Sequence, residues 1–173
     1  MLSRPIIAVV CPMILVSCAS TIETAQNQQV YLNNQPLLLI PFTNATHDEN
    51  AGIAITELLH SQLRKYGISV QRLEQPNDQQ QFLAITQKTE SEYLKIAQEM
   101  KIPYLLLGTV IEYRYKVDLD ADPAVAITVH ILDSQTGQTV WNGTANNTGV
   151  GFSSLGSVSQ ELIRDFTERM PIE

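Results

Sequence analysis

Val125, Ile127, Val129 and Ile131 alternate with Ala126, Thr128 and His130. This period of two marks a strand with one face on a core. Asp133-Ser134-Gln135-Thr136-Gly137 then reads as a hairpin turn, with Gly137 free to take positive φ, and Thr139-Val140-Trp141 begins the return strand. Unbroken apolar runs predict buried strands at 37–42 and within 103–116, and Ile68-Ser69-Val70 predicts a shorter one. Helical spacing occurs three times. Ile55, Leu58, Leu59, Leu63 and Tyr66 form a stripe over 50–66, with Gly67 placed as a C-terminal cap. Tyr93, Ile96, Ala97 and Met100 form the second, over 90–100. Leu155, Val158, Leu162, Phe166 and Met170 form the third, from Ser153 onward. Residues 44–50 and 118–123 read as turns, and 76–81 as a loop or helix start. The order strand, helix, strand, helix, three strands, helix predicts an α+β (mixed α/β) fold, a single sheet containing an antiparallel meander with helices packed on it. No internal repeat is visible.

The apolar run Pro5–Val16 stands outside this scheme. With Arg4 before it, it has the layout of a signal peptide, and it is shorter than the roughly 20 residues that span a bilayer. It ends in Leu15-Val16-Ser17-Cys18, which resembles the lipobox of bacterial lipoproteins. The resemblance implies cleavage before Cys18 and acylation of its sulfur and new amino group (palmitate among the chains). The competing reading is an ordinary secretory signal with an incidental Cys18. Ala19, rather than Asp, follows the cysteine, and in diderm bacteria that resembles the default for export to the outer membrane. Several acyl chains hold a protein stably without a transmembrane helix, at about 0.8 kcal/mol per buried CH₂. The expected division is a signal peptide at 1–17, a lipidated tether at 18–35 and a globular domain at 36–173. Residues 19–35 are polar and rich in Gln and Asn, which suits a tether, or else a short ordered arm that pairs with a neighbour.

Charge narrows the partners. The chain carries 11 basic and 18 acidic side chains, a formal charge of -7. Loss of Arg4 with the signal leaves 10 basic residues and a mature charge of -8. An acidic domain is a poor match for nucleic acid, whose binding rests on Lys and Arg at phosphates. It also resists anionic headgroups, so membrane attachment needs apolar contact. Cationic partners suit it. The sequence holds 2 cysteines. The lipobox resemblance implies that Cys11 leaves with the signal and that Cys18 is acylated, which would leave no disulfide or free thiol.

Catalytic signatures are absent from the sequence. His47, His60 and His130 are far apart, and no His or Cys pair has zinc-ligand spacing. No Gly-x-Ser-x-Gly elbow or Walker loop occurs. Gly149-Val150-Gly151 reads as a strand-to-helix turn rather than a phosphate loop. The three sequons beginning at Asn44, Asn142 and Asn146 read as turn chemistry. Asp118, Asp120 and Asp122 alternate at one hairpin tip. They fit a Ca²⁺ site, a negative rim for a cationic ligand, or a solvated turn. Trp141 fits the core or a membrane anchor.

Residues 107–116, 120–125, 131–141 and 148–155 resemble the PelC-like outer-membrane lipoproteins of Pel exopolysaccharide export, above all in Tyr113-Arg114-Tyr115-Lys116 and Asp122-Pro123-Ala124. A wider pattern is shared with CsgG-like secretion lipoproteins and LpoB-like synthase activators: Leu38-Leu39-Ile40-Pro41-Phe42-Thr43-Asn44, Gly108-Thr109-Val110, and Asp133 through Thr136-Gly137 to Trp141. The resemblance implies a protein that is not an enzyme and that needs no cofactor or metal. It implies a lipid-anchored homo-oligomeric ring at the periplasmic face of the outer membrane, which funnels a cationic biofilm polysaccharide toward a PelB-like porin. In the family an acidic residue of the hairpin loop faces the ring opening; Asp120 matches it best, with Asp118 and Asp122 beside it. A bulky apolar residue between the last strand and last helix faces the membrane. That position is Val150 here, with Phe152 close enough to substitute. The alternatives are an LpoB-like monomeric activator of a cell-wall synthase and a CsgG-like secretion lipoprotein.

Overall fold

The computed structural model describes residues 20–26, 32, 35–73, 88–117 and 121–172. The signal peptide, Cys18 and the segment 76–81 lie outside them. The elements are β1 (Thr21–Gln26), β2 (Leu37–Leu39), β3 (Thr43–Asn44), α1 (Ala51–Lys65), β4 (Val70–Arg72), α2 (Glu90–Glu99), β5 (Tyr104–Tyr115), β6 (Pro123–Asp133), β7 (Thr139–Thr148) and α3 (Leu155–Thr167). The strands form one open mixed sheet in the order β1-β7-β6-β5-β2-β4. β5, β6, β7 and β1 pair antiparallel, whereas β2 is parallel to both β5 and β4. β3 continues beside β5 where β2 leaves off. The expected α+β meander is therefore present.

α1 and α3 lie on one face. Ile55, Leu59 and Leu63 from α1 and Val158, Leu162 and Phe166 from α3 meet Leu37, Leu39, Leu106, Ile127, Val129 and Ile131 of the sheet. Trp141 meets Phe166 edge to face, ring centroids 5.4 Å apart at 67°, the arrangement that ring quadrupoles favour. Its burial assigns it to the core rather than to a membrane anchor. The Thr56 hydroxyl accepts from the Phe42 amide (2.9 Å) and donates to the Gly52 carbonyl (2.7 Å), which pins α1 to the chain leaving β2. α2 covers only one end of the opposite face, where Tyr93 and Ala97 meet Leu38, Ile40, Leu105 and Leu132.

Four sequence expectations need correction. β4 begins at Val70, not Ile68. Gly67 takes φ +79 and the Ile68 amide donates back to the Leu63 carbonyl (3.1 Å), so Ile68 plugs the end of α1 as in a Schellman cap. α2 ends the same way, with Lys101 at φ +55 and the Ile102 amide on the Ala97 carbonyl (2.9 Å). Buried Ile102 takes the core place expected for Met100, which is exposed. The sequons at Asn142 and Asn146 lie within β7, not in turns; Asn44 ends β3 and opens the turn after it, its side chain accepting from the Thr46 amide (2.9 Å). Within the polar stretch 19–35, Thr21–Gln26 forms a strand and Leu32 is fully buried, its amide donating to the Pro171 carbonyl (2.8 Å).

A Cβ at Gly108 would overlap the fully buried Phe42 ring. Gly108→Ala should destabilise the domain by about 1–3 kcal/mol, the usual range for overpacking, as read from urea denaturation.

Candidate functional site

Three segments that carry candidate residues converge at one end of the sheet. The hairpin between β5 and β6 closes there, with the Lys116 amide donating to the Asp122 carbonyl (2.8 Å). Ala121 supports the bend at φ +47, a left-handed conformation costly for a residue with a Cβ. The Lys116 ammonium reaches the Thr148 hydroxyl at 3.3 Å. Asp118 and Asp120 lie outside the described residues. Asp122 has one carboxylate oxygen, Oδ1, shielded from solvent and without a hydrogen-bond partner among the described residues.

The second segment is the β7–α3 loop. Its Gly149 amide donates to the Pro123 carbonyl (2.8 Å), tying the loop to the foot of the hairpin. A Cβ at Gly149 would stand 2.6–2.8 Å from Ser153, Val158 and Pro123, so only glycine fits. Gly151 turns the chain at φ +61. The Ser153 hydroxyl donates to the Val150 carbonyl (2.9 Å), and Ser154 and Ser157 cap α3 reciprocally. The Leu155 amide reaches the Tyr115 hydroxyl at 3.4 Å, linking loop and hairpin a second time. This braced loop presents Val150 at 56% exposure and Phe152 fully to solvent, and Val117 of the hairpin is exposed at 99%. A fully exposed aromatic on a braced loop makes this end of the domain a candidate contact surface.

The third segment is the start of β1. Thr21 pairs with Asn146, two residues before β7 ends. The chain therefore enters the sheet at this same end, three residues after Cys18. Ser20 donates to Asp165 of α3 (3.3 Å), holding that entry point. Sequence reasoning missed this convergence, because the polar composition of β1 hid the strand that produces it.

The histidines are not brought together. His47 sits in the turn before α1, His60 on α1 and His130 on the exposed face of β6. Burial, and then the positive charge of Arg72, hold His60 below the ordinary imidazole range. Among the described residues no three His, Cys, Asp or Glu are grouped as metal ligands, and no helix is long and apolar enough to cross a membrane.

No protein-family model matches the sequence, and neither does any curated protein. Solved structures do match the fold. PelC from Paraburkholderia phytofirmans, solved as a dodecamer, superposes with a TM-score of 0.71 at 24% identity, covering 90% of this chain and 99% of that one. Lipoprotein GNA1162 from Neisseria meningitidis gives 0.60 at 19% identity, over 79% and 97%. The LpoB C-terminal domain from Salmonella enterica gives 0.50 at 21% identity, over 68% and 84%. The chain thus has the fold of these three proteins.

Gly149→Ala should lower the melting temperature markedly, since backbone and core atoms must move. Gly151→Ala, with open space around it, should cost only the roughly 1–2 kcal/mol of a strained φ. Differential scanning calorimetry of the two variants checks that order.

Proposed function

We propose that this chain is a non-enzymatic outer-membrane lipoprotein of a Pel-type exopolysaccharide export apparatus. In this reading Cys18 carries the acyl anchor and the domain assembles as a ring at the periplasmic face. Val150 and Phe152 meet the bilayer, and Asp118, Asp120 and Asp122 line the ring opening. The observation that supports it most is the β1 register, which sets Thr21 at the end bearing Phe152. Three residues span at most about 10 Å, so acyl chains on Cys18 would hold this end close to lipid. Seating Phe152 in the acyl boundary contributes about 2–3 kcal/mol beyond the anchor.

The same geometry restricts the acidic hairpin. It stands beside the apolar loop, and anionic headgroups repel carboxylates. In this reading Asp118, Asp120 and Asp122 therefore face the ring opening rather than the lipid. Symmetry repeats its charge around that opening, which concentrates a cationic, partly deacetylated polymer there. The polymer then passes to a PelB-like porin. The PelC fold match and the mature charge of -8 agree with this. The rival reading, an LpoB-like activator, needs a long tether; β1 is in the sheet three residues after the anchor site, so the reach is short.

Three outcomes are expected. Cys18→Ser should move the protein from membranes to the soluble periplasmic fraction, and Phe152→Asp should lower vesicle binding of the delipidated domain at least tenfold. Recovery of the Cys18→Ser protein wholly in membranes would contradict the anchor. The combined Asp118→Asn, Asp120→Asn and Asp122→Asn variant should fold normally yet export less polysaccharide. Unchanged secretion would contradict the funnel.

A further inference from the structure

A ring built from one kind of chain joins two different surfaces head to tail. The sheet supplies two such surfaces as unpaired strand edges. On one side β1 pairs only with β7 among the described residues, leaving the outer edge of Thr21–Gln26 open. β1 is six residues long and contains no Lys or Pro, the residues that usually guard an edge. On the other side β5 is flanked by β2 and β3 only as far as Val110. From the bulge at Ile111 to Tyr115 its second edge has no partner among the described residues, and Ile111 and Tyr115 are half exposed. β4, the sheet's other terminal strand, has only three residues.

We propose that copies of this chain join through these edges, residues 111–115 of β5 pairing antiparallel with residues 22–26 of β1 in the next copy. The proposal rests on the ring reading above and names its contact. Strand direction permits it: β5, β6, β7 and β1 alternate, so an added β5 runs opposite to β1. Side-chain chemistry selects the register. Ile22 and Tyr113 pack on the helix-covered face, so Tyr115 shares that face, while Glu23, Ala25, Glu112 and Arg114 share the open one. Setting Ile22 against Tyr115 places Glu23 opposite Arg114 and Ala25 opposite Glu112. The first contact is a β-branched residue on an aromatic and the second an ion pair, both favourable cross-strand contacts. Sliding two residues one way sets Glu23 against Glu112. Sliding two the other way carries it past the last residue of β5. Arg114 already holds Glu112 of its own chain at 2.7 Å, and the incoming Glu23 completes a three-charge group.

The tilt of the sheet agrees. Through the ladders Thr24 stands level with Gly143, Val129 and Gly108, whereas the proposed contact sets it against Tyr113 of the next copy. That stagger, five residues over four strands, is ~17 Å along the strands for ~19 Å across them. The corresponding strand tilt is about 40°, inside the range of closed sheets.

The test uses the full chain, processed in cells and extracted in mild detergent. With Ala25→Cys and Glu112→Cys together, oxidation should give a disulfide-linked ladder, a series of dimers, trimers and larger species on denaturing gels that collapses on reduction; each single variant should give none. Glu23→Arg alone should shift the mass-photometry distribution at least tenfold toward small species, and Arg114→Glu added to it should restore the large ones. An oligomeric wild type with no cross-linked ladder and no response to charge reversal would overturn the edge contact while leaving the ring intact. Cross-linking to a different polypeptide would also overturn it. A wild type that is monomeric in membranes and detergent would overturn the ring itself.

Discussion

Backbone pairing between β1 and β7 fixes the end of the sheet at which the chain enters the domain. The ladder runs from Thr21 opposite Asn146 to Gln26 opposite Trp141. Its first rung fixes where the chain enters the sheet, and that entry point lies beside the braced β7–α3 loop. Had β1 run the other way, the same sequence would have placed Cys18 near the β6–β7 hairpin at Asp133–Gly137, and Phe152 would point away from any membrane. Only one side chain of β1, Ile22, packs on the core. The strand is therefore held mostly by ladder hydrogen bonds, each contributing about 1 kcal/mol net.

The two attachments in this account differ in kind. Acyl chains supply affinity, because every buried methylene adds to it. The loop supplies orientation, because Gly149, Ser153, Ser154 and Tyr115 hold it against the hairpin and α3. In the proposed reading a tilted lipoprotein would withdraw Phe152 into water, so the loop would resist tilting. A ring held at one tilt would in turn keep the proposed acidic opening in register with a pore above it.

Much of the scaffold was legible from periodicity. β6 shows its period of two plainly because every inward position from Val125 to Ile131 is aliphatic. α1 and α3 show period 3.6 for the same reason. β7 was legible only in its first residues. Its later inward positions are Gly143, Ala145 and Asn147, small or polar because Trp141 and Phe166 already fill the space: a Cβ at Gly143 would stand 2.8 Å from Trp141 and 2.9 Å from Phe166. Asn147 is tolerated in that row by its hydrogen bond to Glu161 (3.2 Å). β1 was hidden because its two faces are nearly equally polar, and β3 because two residues carry no period. Val150 and Phe152 were legible as candidates from family resemblance. Their proximity to the chain's entry point was not, since strand register across 120 residues leaves no local signal.

Depth-dependent fluorescence quenching in vesicles tests the central claim, that one end of the sheet faces lipid. A fluorophore on cysteine at position 152 of the acylated protein, and another at position 135 on the β6–β7 hairpin, are compared with bilayers of brominated lipid. Strong quenching is expected at 152, deepest for bromines near the acyl boundary, and none above background at 135. Equal quenching at both positions, or quenching at 135 alone, would contradict it.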